Sequence, residues 1–378
     1  MSTLSSMLTA GGWRVGDPVG HRRFAHLGPL ALESGSLLDV TLAYETWGQL
    51  NQDGSNAILV LHALTGDSHV TGDAGDGHPS PGWWSHLVGP GKALDTTTHY
   101  VVAPNILGGC QGSTGPSSLA PDGAPYGSRF PPLSTRDQVE AERLLMRRLG
   151  IDTWALVIGG SMGGMRALEW AVSHPTSLTR LAVIASAAKC RADVLAWNAA
   201  QLAAITTCHG YRGGDYYHLP PEDGPTEALG VARRIAHTTY RSAKELEQRF
   251  SNTPNPGEDP LSSLDGRFGV QSYLDHHATK LCRRFDAGTY VHLVRAMNTH
   301  DVGRGRGGVA RALSRITARS LIVSVDSDRL FPPSDAEELL SGIPDALGYT
   351  MHSDAGHDGF LVDDPVLDGV LCAFLSGQ

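Results

Sequence analysis

The pentapeptide Gly159-Gly160-Ser161-Met162-Gly163 sets a serine among glycines in the pattern G-x-S-x-G. That spacing suits a nucleophile on a sharp strand-to-helix turn. The flanking glycines let the backbone fold back without a Cβ clash, the serine Oγ stands at the tip, and amides at the helix start point toward a developing oxyanion. In a chain with 45 glycines the pattern alone is weakly specific. Its surroundings sharpen it. Trp154 to Ile158 reads as a buried strand, and Gly164 to His174 reads as a helix with Met165, Leu168 and Val172 on one face, closed by Pro175.

A serine nucleophile requires a base, and the base requires an orienting acid. On a turn of this kind the chain order is serine, acid, histidine. Asp326, Ser327 and Asp328 follow the apolar run Ser320 to Val325, and Ala355-Gly356-His357-Asp358-Gly359 follows the run Gly348 to His352. Loops just past strand ends are where such sheets gather their active-site groups. We assign His357 as base and Asp328 as its acid. Asp326 is the competing acid, and His352, read as part of the strand run, is the competing base. A second oxyanion donor should come from a loop after an early strand. His62-Ala63-Leu64-Thr65-Gly66 follows Ala57 to Leu61, so the backbone amides of Leu64 and Met162 are the expected pair.

The elements that must position these groups follow from apolar patterning. Ala57 to Leu61, Tyr100 to Ala103, Trp154 to Ile158 and Leu181 to Ala185 are continuous apolar runs, which fit strands covered on both faces in a mainly parallel sheet. Arg136 to Leu149 carries Val139, Leu144, Leu145 and Leu149 at helical spacing. Strand alternating with helix indicates an α/β fold. Leu38 to Thr46 alternates and suits an antiparallel strand at one edge. From Arg191 to about Thr299 no buried strand is evident; helical pieces such as Glu227 to Tyr240 and Ala243 to Phe250 are divided by loops such as Asn252 to Pro260. The expected organisation is a catalytic domain of residues 1–188 and 300–378 interrupted by a helical lid, 189–299. The Gly-Arg-rich segment within Asp301 to Gly308 reads as the return loop from that insertion.

Composition narrows the function classes. The chain has 378 residues, 41% of them apolar, and a formal net charge of -9. An acidic surface has no general attraction for nucleic acid or anionic membranes, so neither is expected as a partner. Five dispersed cysteines without C-x-x-C spacing argue against a disulfide scaffold and fit a reducing compartment. Met1 to Val15 lacks the basic start and apolar block of an export signal. No run approaches the ~18 apolar residues of a membrane helix. A cytoplasmic protein without metal or bound cofactor is expected.

Further blocks extend the pattern. Leu61-His62-Ala63-Leu64-Thr65-Gly66-Asp67-Ser68-His69, Asn105-Ile106-Leu107-Gly108-Gly109-Cys110-Gln111-Gly112-Ser113-Thr114-Gly115-Pro116, Gly159 to Trp170, Asp328-Arg329-Leu330-Phe331-Pro332 and Gly356-His357-Asp358-Gly359-Phe360 appear in order. Together they resemble the homoserine O-acetyltransferases of the α/β-hydrolase superfamily. The resemblance implies an α/β-hydrolase fold with helices on both faces of the sheet. It also implies a ping-pong transfer of acetyl from acetyl-CoA, a substrate rather than a cofactor, to L-homoserine, and a homodimer. Ser161, Asp328 and His357 would be nucleophile, acid and base. Arg233 in Ala232-Arg233-Arg234-Ile235-Ala236-His237-Thr238-Thr239-Tyr240 would hold the homoserine carboxylate, with Arg234 beside it as the alternative. Asp358 would meet the substrate ammonium, and Tyr240 would line the pocket. A succinyl donor, a serine acceptor or plain ester hydrolysis are the competing activities on one scaffold.

Overall fold

A computed structural model of the chain describes residues 11–362 and 365–377. The expectation that Met1 to Val15 holds no export signal falls largely outside them. Eight strands form one sheet: β1 (Arg23–Ala31), β2 (Leu37–Trp47), β3 (Ala57–Leu61), β4 (Tyr100–Pro104), β5 (Leu156–Gly160), β6 (Arg180–Ile184), β7 (Arg319–Val325) and β8 (Ala346–Met351). Their order is β1-β2-β4-β3-β5-β6-β7-β8. The pairs β1–β2 and β2–β4 are antiparallel, and all later neighbours are parallel. The inner parallel strands are those with continuous apolar runs, and β3 and β5 are buried at every residue; β8, at the sheet's edge, buries only Met351.

One edge differs from expectation. The strand predicted over Leu38 to Thr46 is antiparallel, but it is the second strand, and β1 lies outside it. β1 buries only Ala25 and Leu30, contains Gly28 and Pro29, and shifts register between His26 and Gly28. Such a strand has no regular alternation to reveal it.

The helices are α1 (Thr135–Arg148), α2 (Met162–Ser173), α3 (Ala192–Thr206), α4 (Thr226–Tyr240), α5 (Ala243–Phe250), α6 (Gly269–Cys282), α7 (Ala287–Asn298), α8 (Val309–Leu313), α9 (Pro333–Gly342) and α10 (Pro365–Ser376). Val139 and Leu145 of α1 and Met165 and Leu168 of α2 cover one face of the sheet with Leu59, Val157 and Val183. Leu367, Leu371 and Phe374 of α10 cover the other with Ile58, Val60 and Ile158. Alternate residues of one strand thus enter opposite cores. Ser134 caps α1 by accepting from Asp137 N, while the Asp137 carboxylate receives the Ser134 N–H at 2.8 Å.

Helices α3 to α8 lie between β6 and β7, and no strand occurs there among the described residues. Helix α4 runs against α3 and α6. Ala228, Leu229 and Ala232 of α4 and Tyr290 and Val294 of α7 belong to the same apolar cluster as the sheet's α1–α2 face. The inserted helices are therefore continuous with the main core.

Candidate active site

Ser161 joins β5 to α2 with φ 56° and ψ −124°, a left-handed conformation that a residue with a Cβ rarely adopts. The surroundings hold it there. Ser161 N–H donates to Ile184 O at 2.9 Å, and the Ser186 hydroxyl donates to Ser161 O at 2.8 Å. Gly163 allows α2 to start against the end of β3: a Cβ there would fall well inside contact distance of Leu61 O. The elbow pattern thus has its strand, its strained serine and its helix.

The loops after β7 and β8 bring the other two groups. His357 Nε2 lies 2.8 Å from Ser161 Oγ, and His357 Nδ1 lies 2.7 Å from Asp328 Oδ2. The other Asp328 oxygen accepts the Leu330 and Phe331 amides at 2.8 and 2.9 Å, which fixes the carboxylate plane. All three side chains are nearly closed off from solvent, at 7%, 3% and 3% exposure for Ser161, Asp328 and His357. The rings of Tyr240, Phe331 and Phe360 surround the imidazole at 5.7, 5.3 and 5.5 Å. Burial by itself would lower the His357 pKa, but the Asp328 charge and hydrogen bond, with Asp358 adding, leave it raised above 6.5.

The competing residues lie elsewhere. Asp326 accepts from His352 Nδ1 at 2.9 Å and from Ser353 N–H at 3.1 Å, apart from Ser161. His352 does not belong to β8, as its run suggested, but follows the strand's end at Met351 and is exposed. Its polar ring ends the apolar run, so the continuous reading placed it one residue too far in.

The inserted helices contribute from α4. Arg233 sets its guanidinium 5.2 Å from the centroid of the Tyr240 ring. Its Nε and Nη1 are buried without a hydrogen-bond partner. Arg234 instead turns to α6 and donates to Asp275 at 2.7 Å. Asp358, next to His357, has its carboxylate 3.3 Å from Arg241 Nη2. Burial raises the Asp358 pKa, against the opposing charges of Arg241, Arg233 and His357. Arg233 thus acts electrostatically on Asp358 and packs on the Tyr240 ring, which itself packs on the His357 imidazole.

The two amides expected to bind the oxyanion also sit at this junction. Met162 is the first residue of α2, where an N–H has no intrahelical partner. The Leu64 loop abuts the same helix: Arg166 of α2 donates to His62 O at 2.7 Å and forms a buried ion pair with Glu142.

Two features escaped sequence reasoning. Arg241, the partner of Asp358, stands one residue past α4 with nothing in its local pattern to mark it. Glu45, His69 and His78 come together from distant segments, the one such group of possible metal ligands among the described residues. The His69 and His78 rings are stacked at 3.9 Å with a 12° interplanar angle. Their in-plane lone pairs lie in separate parallel planes and cannot meet on one ion. Glu45 instead accepts from Ser68 Oγ at 2.7 Å and bonds His69 Nδ1 at 3.0 Å, within a network that includes Asn105 and the backbone of Ser68. Asn105, the first residue of the N-I-L-G-G block, is tied into that network through Ser68.

Comparison with known proteins agrees with this geometry. A family profile described as the alpha/beta hydrolase fold matches residues 56–364. The chain is 59% identical to a homoserine O-acetyltransferase of Thermobifida fusca, covering 96% of this chain and 95% of that one. It is 53% identical to a homoserine O-acetyltransferase of Leifsonia xyli over 96% and 91% of the two chains. Among solved structures it is similar to a homoserine O-acetyltransferase from Bacillus anthracis, with TM-score 0.85 and 26% identity, covering 94% and 97% of the two chains. Esterase E22 is as close in shape, with TM-score 0.86 and 27% identity over 94% and 99%.

Proposed function

The chain belongs to the homoserine O-acetyltransferase family within the α/β-hydrolase fold, and on that basis we propose that it moves acetyl from acetyl-CoA to the hydroxyl of L-homoserine, a step of methionine biosynthesis. The observation that carries the acceptor assignment is the buried Arg233 guanidinium, whose Nε and Nη1 have no hydrogen-bond partner, within electrostatic range of Asp358, the residue after His357. An amino acid presents the two complementary charges; an ordinary ester presents neither.

The reaction runs in two halves. His357 Nε2 takes the Ser161 proton as Oγ attacks the thioester carbonyl, and the Leu64 and Met162 amides hold the tetrahedral oxyanion, at about 3–4 kcal/mol per donor. The C–S bond breaks, His357 returns its proton to sulfur, and CoA leaves as the thiol. Homoserine then enters with its carboxylate on Arg233 and its ammonium on Asp358, Tyr240 lining the pocket. His357 deprotonates the homoserine hydroxyl, which attacks the acetyl-serine, and protonates Ser161 Oγ as it departs. Burial of the triad favours transfer over hydrolysis by limiting water.

In this reading residues 1–188 and 300–378 form the catalytic domain and 189–299 the lid, whose exposed Val231 and Leu195 suit a homodimer contact. The described helices include none long and apolar enough to cross a membrane. All five cysteines are free, which supports a cytoplasmic setting.

The shape similarity to esterase E22 favours hydrolysis as the second reading. Following CoA release from acetyl-CoA with homoserine, serine or no acceptor separates the two. Transfer predicts turnover that depends on homoserine and yields O-acetylhomoserine. Equal CoA release without any acceptor would support the hydrolase instead.

A further inference from the structure

The imidazole of His62 is tied to backbone at both nitrogens. Nε2 accepts the Ile106 N–H at 3.1 Å, so the ring proton sits on Nδ1, which donates to the Ala63 carbonyl at 2.7 Å. The Gly66 N–H donates to the same carbonyl at 2.9 Å. That carbonyl is one end of the peptide unit whose other end is the Leu64 N–H. The unit is planar and trans, so the two ends point in opposite directions, and fixing one aims the other. Two donors on the oxygen also polarise the unit and strengthen its N–H as a donor.

His62 has little freedom to do otherwise. It is buried, its own carbonyl accepts from Arg166, and a Cβ at Gly66 would fall 2.8 Å from His62 Cβ. Burial first, then the charge of Arg166, hold its pKa down to about 3, so it stays neutral and Nε2 remains an acceptor.

We propose that His62 is a positioning residue for acyl transfer: it clamps the Ala63–Leu64 peptide so that the Leu64 amide faces the oxyanion formed on Ser161. His62 touches no substrate, and no bond is made or broken on it. The inference rests on the functional reading of Ser161 and Leu64 given above.

Two substitutions divide the clamp. In His62→Asn the side-chain amide nitrogen stands near the Nδ1 position and keeps the bond to Ala63. In His62→Gln the longer side chain reaches the Nε2 position, keeps Ile106 and releases Ala63. Three quantities are measured below the melting transition of each variant: the rate of the first burst of thiol from acetyl-CoA, the acetyl-CoA KM, and the affinity for a small alkylboronic acid that forms a tetrahedral anion on the serine. His62→Gln should slow the burst by about 10- to 100-fold and weaken the boronate equally, with KM within about twofold. His62→Asn should stay within about threefold of the parent protein. Equal losses in the two variants, or a slowed burst with unchanged boronate affinity, would overturn the clamp while leaving Ser161 as nucleophile. A parent protein that forms no acetyl-Ser161 would overturn the underlying reading and the clamp together.

Discussion

The guanidinium of Arg233 lies 5.2 Å from the centroid of the Tyr240 ring, with Nε and Nη1 buried and unpartnered. Buried donors without partners cost ~1–3 kcal/mol, a penalty that an incoming carboxylate would remove.

Replacing Arg233 should therefore separate stability from binding. Arg233→Met should leave the melting temperature unchanged or higher, while raising the homoserine KM by about 10- to 100-fold. The acetyl-CoA half-reaction should be little altered. Arg234→Met, which breaks only a half-exposed pair with Asp275, should leave KM within about twofold. Steady-state kinetics with homoserine varied, beside thermal melts, checks both.

The two aspartates after β7 should behave oppositely. Asp328→Asn removes the acid that holds His357 in its tautomer and should lower kcat by about 10⁴-fold. Asp326→Asn loses an exposed contact with His352 and should stay within about threefold. Turnover of the two purified variants decides between them.

The pH dependence has a fixed sign. His357 must be neutral to act as base, and its pKa is raised, so kcat/KM should climb with pH through an inflection above 6.5. In Asp328→Asn that inflection should move down, because the group that stabilises the imidazolium is gone. The stability side follows the same linkage: the contribution of the His357–Asp328 pair is complete below the unfolded histidine pKa and is lost as pH rises through the folded value. Rate–pH curves of the two proteins provide the check.

The buried Arg166–Glu142 pair should be costly to halve. Arg166→Met leaves a carboxylate at 1% exposure without its cation and frees His62 O, for a loss of about 3–5 kcal/mol. Chemical denaturation should register it. Arg166→Met combined with Glu142→Gln should recover part of the loss.

What the sequence revealed follows from how local each signal is. β3 and β5 announce themselves because a strand covered on both faces carries no charged or large polar residue, and the elbow because its glycines are needed by close approach. β1 stayed hidden because an exposed, bulged edge strand has no such requirement. Ser161, Asp328 and His357 could be picked out by chain order and loop position. The partner of Asp358 could not, since Arg241 meets it only when the α4–α5 junction folds over the loop after β8. The same holds for Glu45, His69 and His78, and for the His62 clamp, where the informative partners are backbone atoms that carry no sequence signature.

In the proposed reaction, acylation of Ser161 is the step on which the other roles depend. The protein is mixed briefly with acetyl-CoA alone, quenched in acid, and its peptides are analysed by mass spectrometry. We expect one acetyl group on Ser161, absent in Ser161→Ala and discharged on adding homoserine. A protein that turns over homoserine with no acetyl on Ser161, or with full activity in Ser161→Ala, would contradict it.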